Sequence, residues 1–359
     1  MTPESLQPIA RFFIPDFSGQ AEPVGGGLIH HTFRLLDENS NLAYLLQQVN
    51  TRVFADAQKL QRNYRYVARS LSEAQSRFQL PEIIRASSGH DLYYEKNTAN
   101  PWRMFSWVEN SCSVNEVSDS GRAYTLANAF GRFSADLMRA DTKQLAIVIP
   151  DFHNLEFRFS QLQTAIDQAV SVRLDPARPL LEALEHFSPL VDFFRRMRSD
   201  ARRYRQYILH HDAKISNILF DQTSGDVITP VDLDTVMPGF FFSDFGDMVR
   251  SLAPDLQEDD LDCADLQIRS GHYEALREGY LERMYDRFTE EERRHVDYSG
   301  LLMAYMQSMR FLSDHLQGDN YYHTGYTGQN LERARNQFVL LQRLEDFVVS
   351  RYRIARCSK

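Results

Sequence analysis

The spacing of apolar residues separates an early part of the chain with strand-like segments from a later part with helical ones. Before about residue 110, the segments 42–50 (LAYLLQQVN), 91–97 (DLYYEKN) and 101–110 (PWRMFSWVEN) are short apolar or aromatic runs, which predict strands. Residues 56–71 carry apolar side chains three and four positions apart, which predicts a helix. The early part is therefore expected to form a small sheet with a helix.

Helical spacing dominates the rest of the chain. Three later segments place apolar side chains on one helical face: 121–139, 302–316 and 331–341. The sequence TEEE at 289–292 is a capping box that predicts the start of a further helix. We therefore predict an α+β chain with a small β-rich N-terminal lobe at residues 1–106 and a larger, mainly helical C-terminal lobe at 107–359.

The composition is that of a globular protein with its own core, since 43% of the residues are apolar and 25% are charged. The net charge of −9 and the lack of a basic stripe argue against a nucleic-acid partner. No stretch reaches about 18 apolar residues and the first residues lack a signal-peptide pattern, so we expect no membrane span and no signal peptide. Three well-separated cysteines, Cys112, Cys263 and Cys357, predict a reducing, cytoplasmic location without a disulfide framework.

The densest polar cluster in an apolar setting is ILHHDAKISNILFD at 208–221. Asp212 and Asn217 are separated by four residues, with Lys214 between them. The catalytic loop of kinases has the same Asp-x-x-x-x-Asn spacing, in which the Asp aligns or deprotonates the attacking hydroxyl and the Asn holds Mg²⁺. We therefore predict Asp212 as the catalytic base, Lys214 as a catalytic residue that meets the transferring phosphoryl group, and Asn217 as a metal ligand.

A second carboxylate follows at the end of the next predicted strand. The β-branched run 227–231 (VITPV) ends on Asp232, at hairpin distance from Asn217. Mg²⁺ prefers hard oxygen ligands, so Asp232 is the second predicted metal ligand. Asp234 faces the same side and is either a further ligand or a hydrogen-bonding support. A zinc site is not expected, because the histidines occur as adjacent pairs that point to opposite faces and no H-E-x-x-H is present.

The nucleotide side of the predicted site departs from the usual kinase pattern. Gly25, Gly26 and Gly27 precede a predicted strand and fit a turn that covers phosphates, although they do not match G-x-G-x-x-G. A protein kinase pairs a strand lysine with a helix glutamate. The matching strand here offers Gln47 and no lysine, and the following helix has no glutamate. We expect a neutral replacement in which Gln47 pairs with Asn63.

The chain resembles the aminoglycoside phosphotransferase and choline kinase superfamily, and within it the N-acetylhexosamine 1-kinase subfamily. The segments that carry the resemblance are HHDAKISNILFD, VDLDTVMPG, DFGDMVRS, YLLQQVNTRVFADAQKLQRN, WRMFSWVE, IPDFHNLEFRF and MRFLSDHLQGDNYY. They extend from about residue 25 to about residue 340 in the same order and at similar spacing. The resemblance implies a two-lobed, protein-kinase-like fold with ATP in the cleft and Mg²⁺ as the metal cofactor.

The resemblance also assigns roles to individual residues. It implies a hinge whose backbone binds adenine, formed by Phe105, Ser106, Trp107 and Val108. It implies that Arg310 and Tyr321 reach the acceptor sugar, whereas helical spacing alone would pair Arg310 with Asp314 in an ion pair. It implies that Asp244, the first residue of the DFG tripeptide, braces the catalytic loop, because Asp232 already fills the metal position.

One departure from the subfamily concerns the acceptor. Relatives carry a histidine that touches the sugar directly after the glycine turn, and this chain has Leu28 there. His30 or His31 would substitute for it from a shifted register. The sugar preference therefore depends on where these two side chains lie.

The implied reaction is transfer of the γ-phosphoryl group of ATP to the anomeric hydroxyl of N-acetylglucosamine or N-acetylgalactosamine. The alternative acceptors are another sugar, an amino alcohol or an aminoglycoside, the last because the stretch 255–262 is acidic. A non-catalytic binding protein with the same fold is a third hypothesis, which the intact Asp212, Asn217 and Asp232 argue against. The expected partners are ATP and a small-molecule sugar, bound by a monomer or weak homodimer.

Overall fold

The computed structural model of the protein describes residues 3–25, 29–96, 98–260 and 262–358. The chain divides into two compact units, each built from more than one stretch of sequence. The first unit comprises Met1–Ser113, Lys143–Pro150 and Leu219–Thr235. The second comprises Val114–Thr142, Asp151–Ile218 and Val236–Lys359.

The described residues form α-helices with the following bounds: α1 (Pro3–Phe13), α2 (Ala57–Glu73), α3 (Ser120–Asp136), α4 (Leu155–Gln168), α5 (Ser171–Leu174), α6 (Arg178–Glu185), α7 (Pro189–Ser199), α8 (Phe242–Leu252), α9 (Ser270–Met284), α10 (Glu290–His295), α11 (Ser299–Leu316) and α12 (Gln329–Tyr352). They form strands with these bounds: β1 (Gly19–Pro23), β2 (His31–Asp37), β3 (Leu42–Gln48), β4 (Ile83–Ile84), β5 (Trp102–Ser106), β6 (Ser111–Cys112), β7 (Gln206–Leu209), β8 (Ile218–Asp221), β9 (Val227–Pro230) and β10 (Met237–Phe240). Within this described part of the chain, no helix is long and apolar enough to cross a membrane.

In the first unit, α1 and an antiparallel sheet in the order β1-β2-β3-β5-β4 enclose one apolar core. The buried side chains come from one face of the helix and one face of the sheet: Leu6, Ile9, Ala10, Phe13, Leu35, Leu46, Trp102 and Met104. The pairing of β3 with β5 sets Gln47 opposite Arg103. This register brings together two side chains that are far apart in the sequence.

Most of the predicted early elements are confirmed, and one is wrong. The strands predicted at 42–50 and 101–110 are β3 and β5, and the helix predicted at 56–71 is α2. The strand predicted at 91–97 is not formed, because among its described residues only Tyr93 makes a bridge, to the first residue of β5. The chain must reverse direction within this segment to enter β5, so it cannot continue as a strand.

A three-stranded sheet in the order β6-β8-β9 carries the segment that contains the two aspartates predicted at or near the metal. β8 and β9 form the predicted hairpin, closed by a 2.8 Å hydrogen bond from the Asp221 amide to the Asp226 carbonyl. A short 3-10 turn, Leu233–Thr235, follows β9. Asp232 therefore lies between the strand and this turn, and Asp234 lies on the turn itself.

The second unit is mainly helical. α3 packs on α9, and α11 packs against α4, α8 and α12. Of the 18 residues of α11, only Arg310 is not buried, so this helix is the centre of the unit. The helices predicted at 121–139, 302–316 and 331–341 are confirmed as α3, α11 and α12, and the capping box at 289–292 begins α10. β7 and β10 form a two-stranded antiparallel sheet.

Gly246, the last residue of the DFG tripeptide, lets α8 approach α11 closely. A Cβ at this position would overlap the carbonyl oxygen of Ser299 and lie 2.6 Å from Met303 Cγ. Because the backbone cannot move aside cheaply, we expect Gly246→Ala to destabilise the protein by about 1–3 kcal/mol. Gly271→Ala is the control, since a Cβ there meets no atom within 4 Å. Urea unfolding measures both, and equal stability of the two variants would contradict this packing.

Candidate active site

The chain passes from β7 to β8 through residues 210–217, which we call the 210–217 loop. Its first residue, His210, is fully buried against two rings of α3. The centroid of the His210 ring lies 5.1 Å from that of Phe130 and 6.1 Å from that of Phe133. These contacts fix the point at which the loop leaves β7.

Asp244 of α8 holds the backbone of this loop. Its Oδ2 accepts the N–H of His210 at 2.9 Å, and its Oδ1 accepts the N–H of His211 at 2.7 Å. Both donors lie just beyond the last residue of β7 that pairs with β10. The carboxylate therefore accepts hydrogen bonds from buried amides that have no partner in the sheet. Burial raises the pKa of Asp244 to about 6, although His210 and the two amides oppose this shift.

His211 adopts a left-handed conformation, with φ of 66°, immediately before Asp212. Its Nε2 lies 3.2 Å from the Met237 carbonyl oxygen, which only accepts, so Nε2 carries the proton and Nδ1 accepts from the Ser243 hydroxyl at 2.7 Å. Burial lowers the pKa of His211 to about 4, so the ring is neutral at pH 7. Gly239 makes room for it, because a Cβ there would strike the ring. These contacts offset a backbone strain of roughly 1–3 kcal/mol.

Asp212 has one carboxylate oxygen engaged and one open. Lys214 Nζ lies 2.8 Å from its Oδ2, and Asn217 Nδ2 donates to the same atom at 2.9 Å. Burial opposes ionisation, but Lys214 and Asn217 lower the pKa of Asp212 below its ordinary value, so the carboxylate is ionised at neutral pH. Among the described residues, none donates to Oδ1. The arrangement can therefore orient a hydroxyl at Oδ1 and accept its proton as the hydroxyl attacks.

Asp234 is the centre of a buried charge cluster in the first unit. Arg103 of β5 donates from Nη1 to Oδ1 at 2.7 Å and from Nη2 to Oδ2 at 2.6 Å. The side chains of Arg103 and Asp234 are 3% and 4% exposed, so this bidentate pair is desolvated. His30 Nε2 lies 2.8 Å from the same Oδ2. Burial alone would raise the pKa of Asp234, but Arg103 and His30 hold it well below its usual range.

His30, Asp232 and Asp234 each bring one ligand atom to within 4.8 Å of the others, as a metal site requires. The Asn50 amide donates to His30 Nδ1 at 3.1 Å, so Nε2 carries the ring proton and donates to Asp234. With both ring nitrogens engaged, His30 has none left for a metal or for a sugar hydroxyl. Asp232, at φ of 60°, is the exposed member of the trio and the one whose oxygens fit a hard cation such as Mg²⁺. Asp234 acts as the hydrogen-bonding support.

The expected pairing of Gln47 with Asn63 is wrong. Gln47 Oε1 accepts from Arg103 Nε at 2.9 Å, and its Nε2 donates to Thr32 Oγ1 at 3.1 Å. Asn63 instead binds the backbone of Ala146, accepting its N–H at 2.9 Å and donating to its carbonyl at 2.8 Å. Because a buried guanidinium needs hydrogen-bond acceptors, Arg103, which lies opposite Gln47 on the neighbouring strand, donates to the side-chain oxygen of Gln47. The group that replaces the lysine–glutamate pair of protein kinases is thus not neutral, because Arg103 of β5 supplies a positive charge.

The predicted phosphate-covering turn lies partly outside the described residues, which include Gly25 but not Gly26, Gly27 or Leu28. Gly25 sits in a turn shortly after β1, and β2 begins at His31. The role of the three glycines and the consequence of Leu28 stay predictions.

The end of β5 is the segment expected to bind adenine. Ser106 and Trp107 donate their N–H groups to backbone carbonyls of the same unit at 2.8 and 3.1 Å. The Val108 carbonyl accepts the Ser111 hydroxyl at 2.6 Å, and Phe105 is buried in the sheet. Because these amides are in use, adenine would have to bind through the remaining backbone groups of the segment.

Arg310 lies between two aromatic rings. Its Cζ is 5.6 Å from the ring centre of Phe152 and 5.6 Å from that of Tyr322. Its Nη1 donates to Gln307 Oε1 at 3.1 Å, one turn earlier on α11. These distances are typical of cation–π contacts, which hold the guanidinium in place without a carboxylate.

Asp314 accepts hydrogen bonds from the loop after α11 and does not pair with Arg310. Its Oδ1 accepts the amides of Asn320 and Tyr321 at 2.9 and 2.8 Å, and its Oδ2 accepts that of Tyr322 at 2.9 Å. The ion pair with Arg310 that helical spacing favours is therefore absent from the described part of the chain. Tyr321 itself is 68% exposed, which leaves its side chain accessible to a ligand.

Two groups of contacts escape the sequence patterns. The sequence gives a local indication of the Arg103 contacts. Arg103 stands between Trp102 and Met104 in a strand whose first four residues are buried, and a buried arginine requires hydrogen-bond acceptors. No such indication exists for His153. Its Nδ1 lies 2.5 Å from Ser243 Oγ, a contact made by packing between distant segments.

The buried carboxylate of Asp244 predicts a pH-dependent stability. Its pKa of about 6 exceeds the ordinary value of 3.8, so its contribution to the free energy of unfolding falls as pH rises from about 4 to about 6. We expect the wild type to lose on the order of 2 kcal/mol relative to Asp244→Asn over that interval, because the amide does not titrate. Urea unfolding of both proteins between about pH 4 and pH 7 measures this difference. A difference that does not change with pH would contradict the assignment.

Removal of Arg103 would leave the Asp234 carboxylate buried without its cation. We expect Arg103→Met to destabilise the protein by about 3–5 kcal/mol, and the addition of Asp234→Asn to restore part of the loss. Arg69→Met is the control, because the ion pair of Arg69 with Glu73 is exposed and is expected to be worth less than about 1 kcal/mol. Denaturant unfolding distinguishes them, and a similar loss in both single variants would refute the role of the cluster.

Comparison with known proteins identifies the family. The profile of the phosphotransferase enzyme family, APH, matches residues 20–286, which is well over half of the chain. The matched range contains Asp212, Asn217 and Asp232 as well as the Asp234 cluster. The candidate residues thus fall inside the part of the chain that defines the family.

Solved structures show the same fold at low sequence identity. An aminoglycoside phosphotransferase from Alicyclobacillus acidocaldarius aligns with a TM-score of 0.61 at 11% identity, over 94% of this chain and 93% of that chain. A spectinomycin phosphotransferase in complex with ADP and spectinomycin gives 0.57 at 12% identity, over 95% and 97%. A choline kinase from Cryptosporidium parvum gives 0.57 at 10% identity, over 97% of each chain. The predicted protein-kinase-like α+β fold is confirmed, and the chain belongs to the phosphotransferase enzyme family.

Proposed function

We propose that the protein transfers the γ-phosphoryl group of ATP to the anomeric hydroxyl of an N-acetylhexosamine. Membership of the family makes it a phosphotransferase, and the acceptor is the part we propose. The observation that carries the proposal is the Asp212 carboxylate, which is ionised, bound through Oδ2 by Lys214 and Asn217, and without a donor to Oδ1 in the described part of the chain. The choice of sugar rests on the resemblance of the segments around this loop to N-acetylhexosamine 1-kinases.

The remaining residues of the proposed site divide between metal and nucleotide. Asn217 and Asp232 are the proposed Mg²⁺ ligands, since Asn217 directs its Nδ2 to Asp212 and keeps Oδ1 for a cation. When bound, Mg²⁺ would neutralise the charge of the β- and γ-phosphates. The turn at 25–27, the segment 105–108 and the strand that carries Gln47 are proposed to bind ATP.

An aminoglycoside or amino alcohol is the second candidate acceptor, because solved relatives are named for such substrates. Two carboxylates of the acidic stretch 255–262 are already paired with arginines, which weakens the support that this stretch gives. Glu258 is paired with Arg250 at 2.9 Å, and Asp259 is paired with Arg333 at 2.5 Å. Carboxylates already neutralised within the protein are poor ligands for a polycationic acceptor.

An acceptor panel tests the proposal. N-acetylglucosamine, N-acetylgalactosamine, an aminoglycoside and choline are each incubated with ATP and Mg²⁺, and ADP release is measured. We expect release that depends on an N-acetylhexosamine, with a sugar 1-phosphate as the product seen by ³¹P NMR. Release only with a cationic acceptor, or with none of the four, would overturn the proposal.

The assignment of Asp212 predicts a specific kinetic loss. General-base and positioning effects of this kind contribute about 10²–10⁴-fold, so Asp212→Asn is expected to lower kcat by that factor while ATP binding is largely retained. Asp226→Asn, at an exposed aspartate on the following hairpin, is the control and should stay within about twofold of the wild type. Steady-state kinetics measure kcat and nucleotide titration measures ATP binding for both variants. Near-normal turnover of Asp212→Asn would contradict the assignment.

A further inference from the structure

Arg158 and Arg310 of the second unit make no hydrogen bond or ion pair with a carboxylate among the described residues. Arg158 of α4 donates from Nη1 to Gln161 Oε1 at 2.7 Å and from Nη2 to the Phe152 carbonyl at 3.2 Å. Arg310 of α11 donates to Gln307 Oε1. Every one of these hydrogen-bond acceptors is neutral, and the Asp151 carboxylate acts on Arg158 only as the last of the charges that affect its pKa.

The two guanidinium groups converge on one place. Arg158 binds the backbone of Phe152, and Arg310 lies over the ring of the same residue. Burial, followed by the charge of Arg310, lowers the pKa of Arg158 to about 10, so Arg310 lies close enough to repel Arg158, which still carries its charge at pH 7. We call Arg158 and Arg310 the arginine pair.

Phe152 and His153 connect the arginine pair to the 210–217 loop. The Phe152 ring stacks on His153 with centroids 4.5 Å apart and meets His211 edge-on at 6.5 Å. The Nδ1 atoms of His153 and His211 both bind the Ser243 hydroxyl. The Phe152 ring thus contacts both the Arg310 guanidinium and the ring of His211, the residue that directly precedes the proposed base.

The arginine pair is accessible. Arg310 is the one residue of α11 that is not buried, and Arg158 and Phe152 are half-buried. Tyr321, which follows α11, is exposed. Aromatic faces by themselves attract an ammonium group. Two fixed cations among these rings reverse that preference, because they repel an ammonium group and donate hydrogen bonds to oxygen atoms.

We infer that the arginine pair selects the acceptor by charge, so that a sugar with an acylated nitrogen or no nitrogen is accepted and a free amino sugar is rejected. The inference rests on the proposed function and names the acceptor class of the same site. Acylation removes the positive charge of the amine and adds a carbonyl oxygen that a guanidinium can bind. Coulomb repulsion across a few ångströms of partly solvated protein is worth about tenfold per arginine.

The test compares kcat/KM for glucose, glucosamine and N-acetylglucosamine with the wild type, Arg158→Gln and Arg310→Gln. The ratio of glucose to glucosamine isolates charge, because neither sugar carries an acetyl group. We expect the wild type to favour glucose by about tenfold or more, and each Gln variant to lower that ratio about five- to tenfold. Arg158→Lys keeps the charge and should keep the ratio. A rise in pH that deprotonates glucosamine should shrink the ratio in the wild type.

The control variant is Arg195→Gln, because Arg195 is exposed and paired with Glu156 and Asp192, and it should leave the ratio unchanged. Loss of fold would lower turnover of all three sugars together, and melting temperatures identify it. Equal kcat/KM for glucose and glucosamine in the wild type, or a ratio unchanged in both Gln variants, overturns the inference and leaves the proposed function standing. No turnover of any sugar overturns the proposed function and the inference with it.

Discussion

The carboxylate of Asp244 holds the backbone on which the rest of the site is built. It accepts two consecutive amides where the β7–β10 ladder ends, and so stabilises the left-handed turn at His211 that presents Asp212. Ser243, next to Asp244 on α8, binds the His211 ring, and Gly239 on β10 leaves space for it. The position of the proposed base thus depends on groups that need not touch a substrate.

Charge is arranged differently in two places, the Asp234 cluster of the first unit and the arginine pair of the second. In the first, Arg103, Asp234 and His30 form a closed cluster in which the charges compensate one another. Such a cluster adds little net stability but makes the loss of one member costly, which fixes the turn that directly follows Asp232. In the second, the arginine pair has only neutral acceptors among the described residues and is partly exposed. The Asp234 cluster serves the architecture of its unit, and the arginine pair is proposed to meet a ligand.

The parts of the structure that the sequence predicts are those set by local patterns. The helices α2, α3 and α11 can be predicted from the apolar period of their own residues. Asp212 and Asn217 lie close together because one short loop contains both. β1 has no apolar period because it is short, polar and largely exposed, and the segment 91–97 has strand-like residues but leaves the sheet after Tyr93, so periodicity misjudges both. The Asp234 cluster is the strongest example of a feature that local patterns miss, because its partners lie 131 and 204 positions away in the sequence. The one local trace of it was an arginine inside a buried strand.

If Asp244 influences the reaction through Asp212, a double-mutant cycle on kcat reveals the coupling most directly. Asp244→Asn is introduced into the wild type and into Asp212→Asn, and phosphorylation of the best acceptor is measured under conditions where all four proteins are folded. The predicted result is a loss of about tenfold or more in the wild-type background and of less than about twofold when Asp212 is already replaced. The same loss in both backgrounds would contradict the role of Asp244 as the support of the catalytic carboxylate.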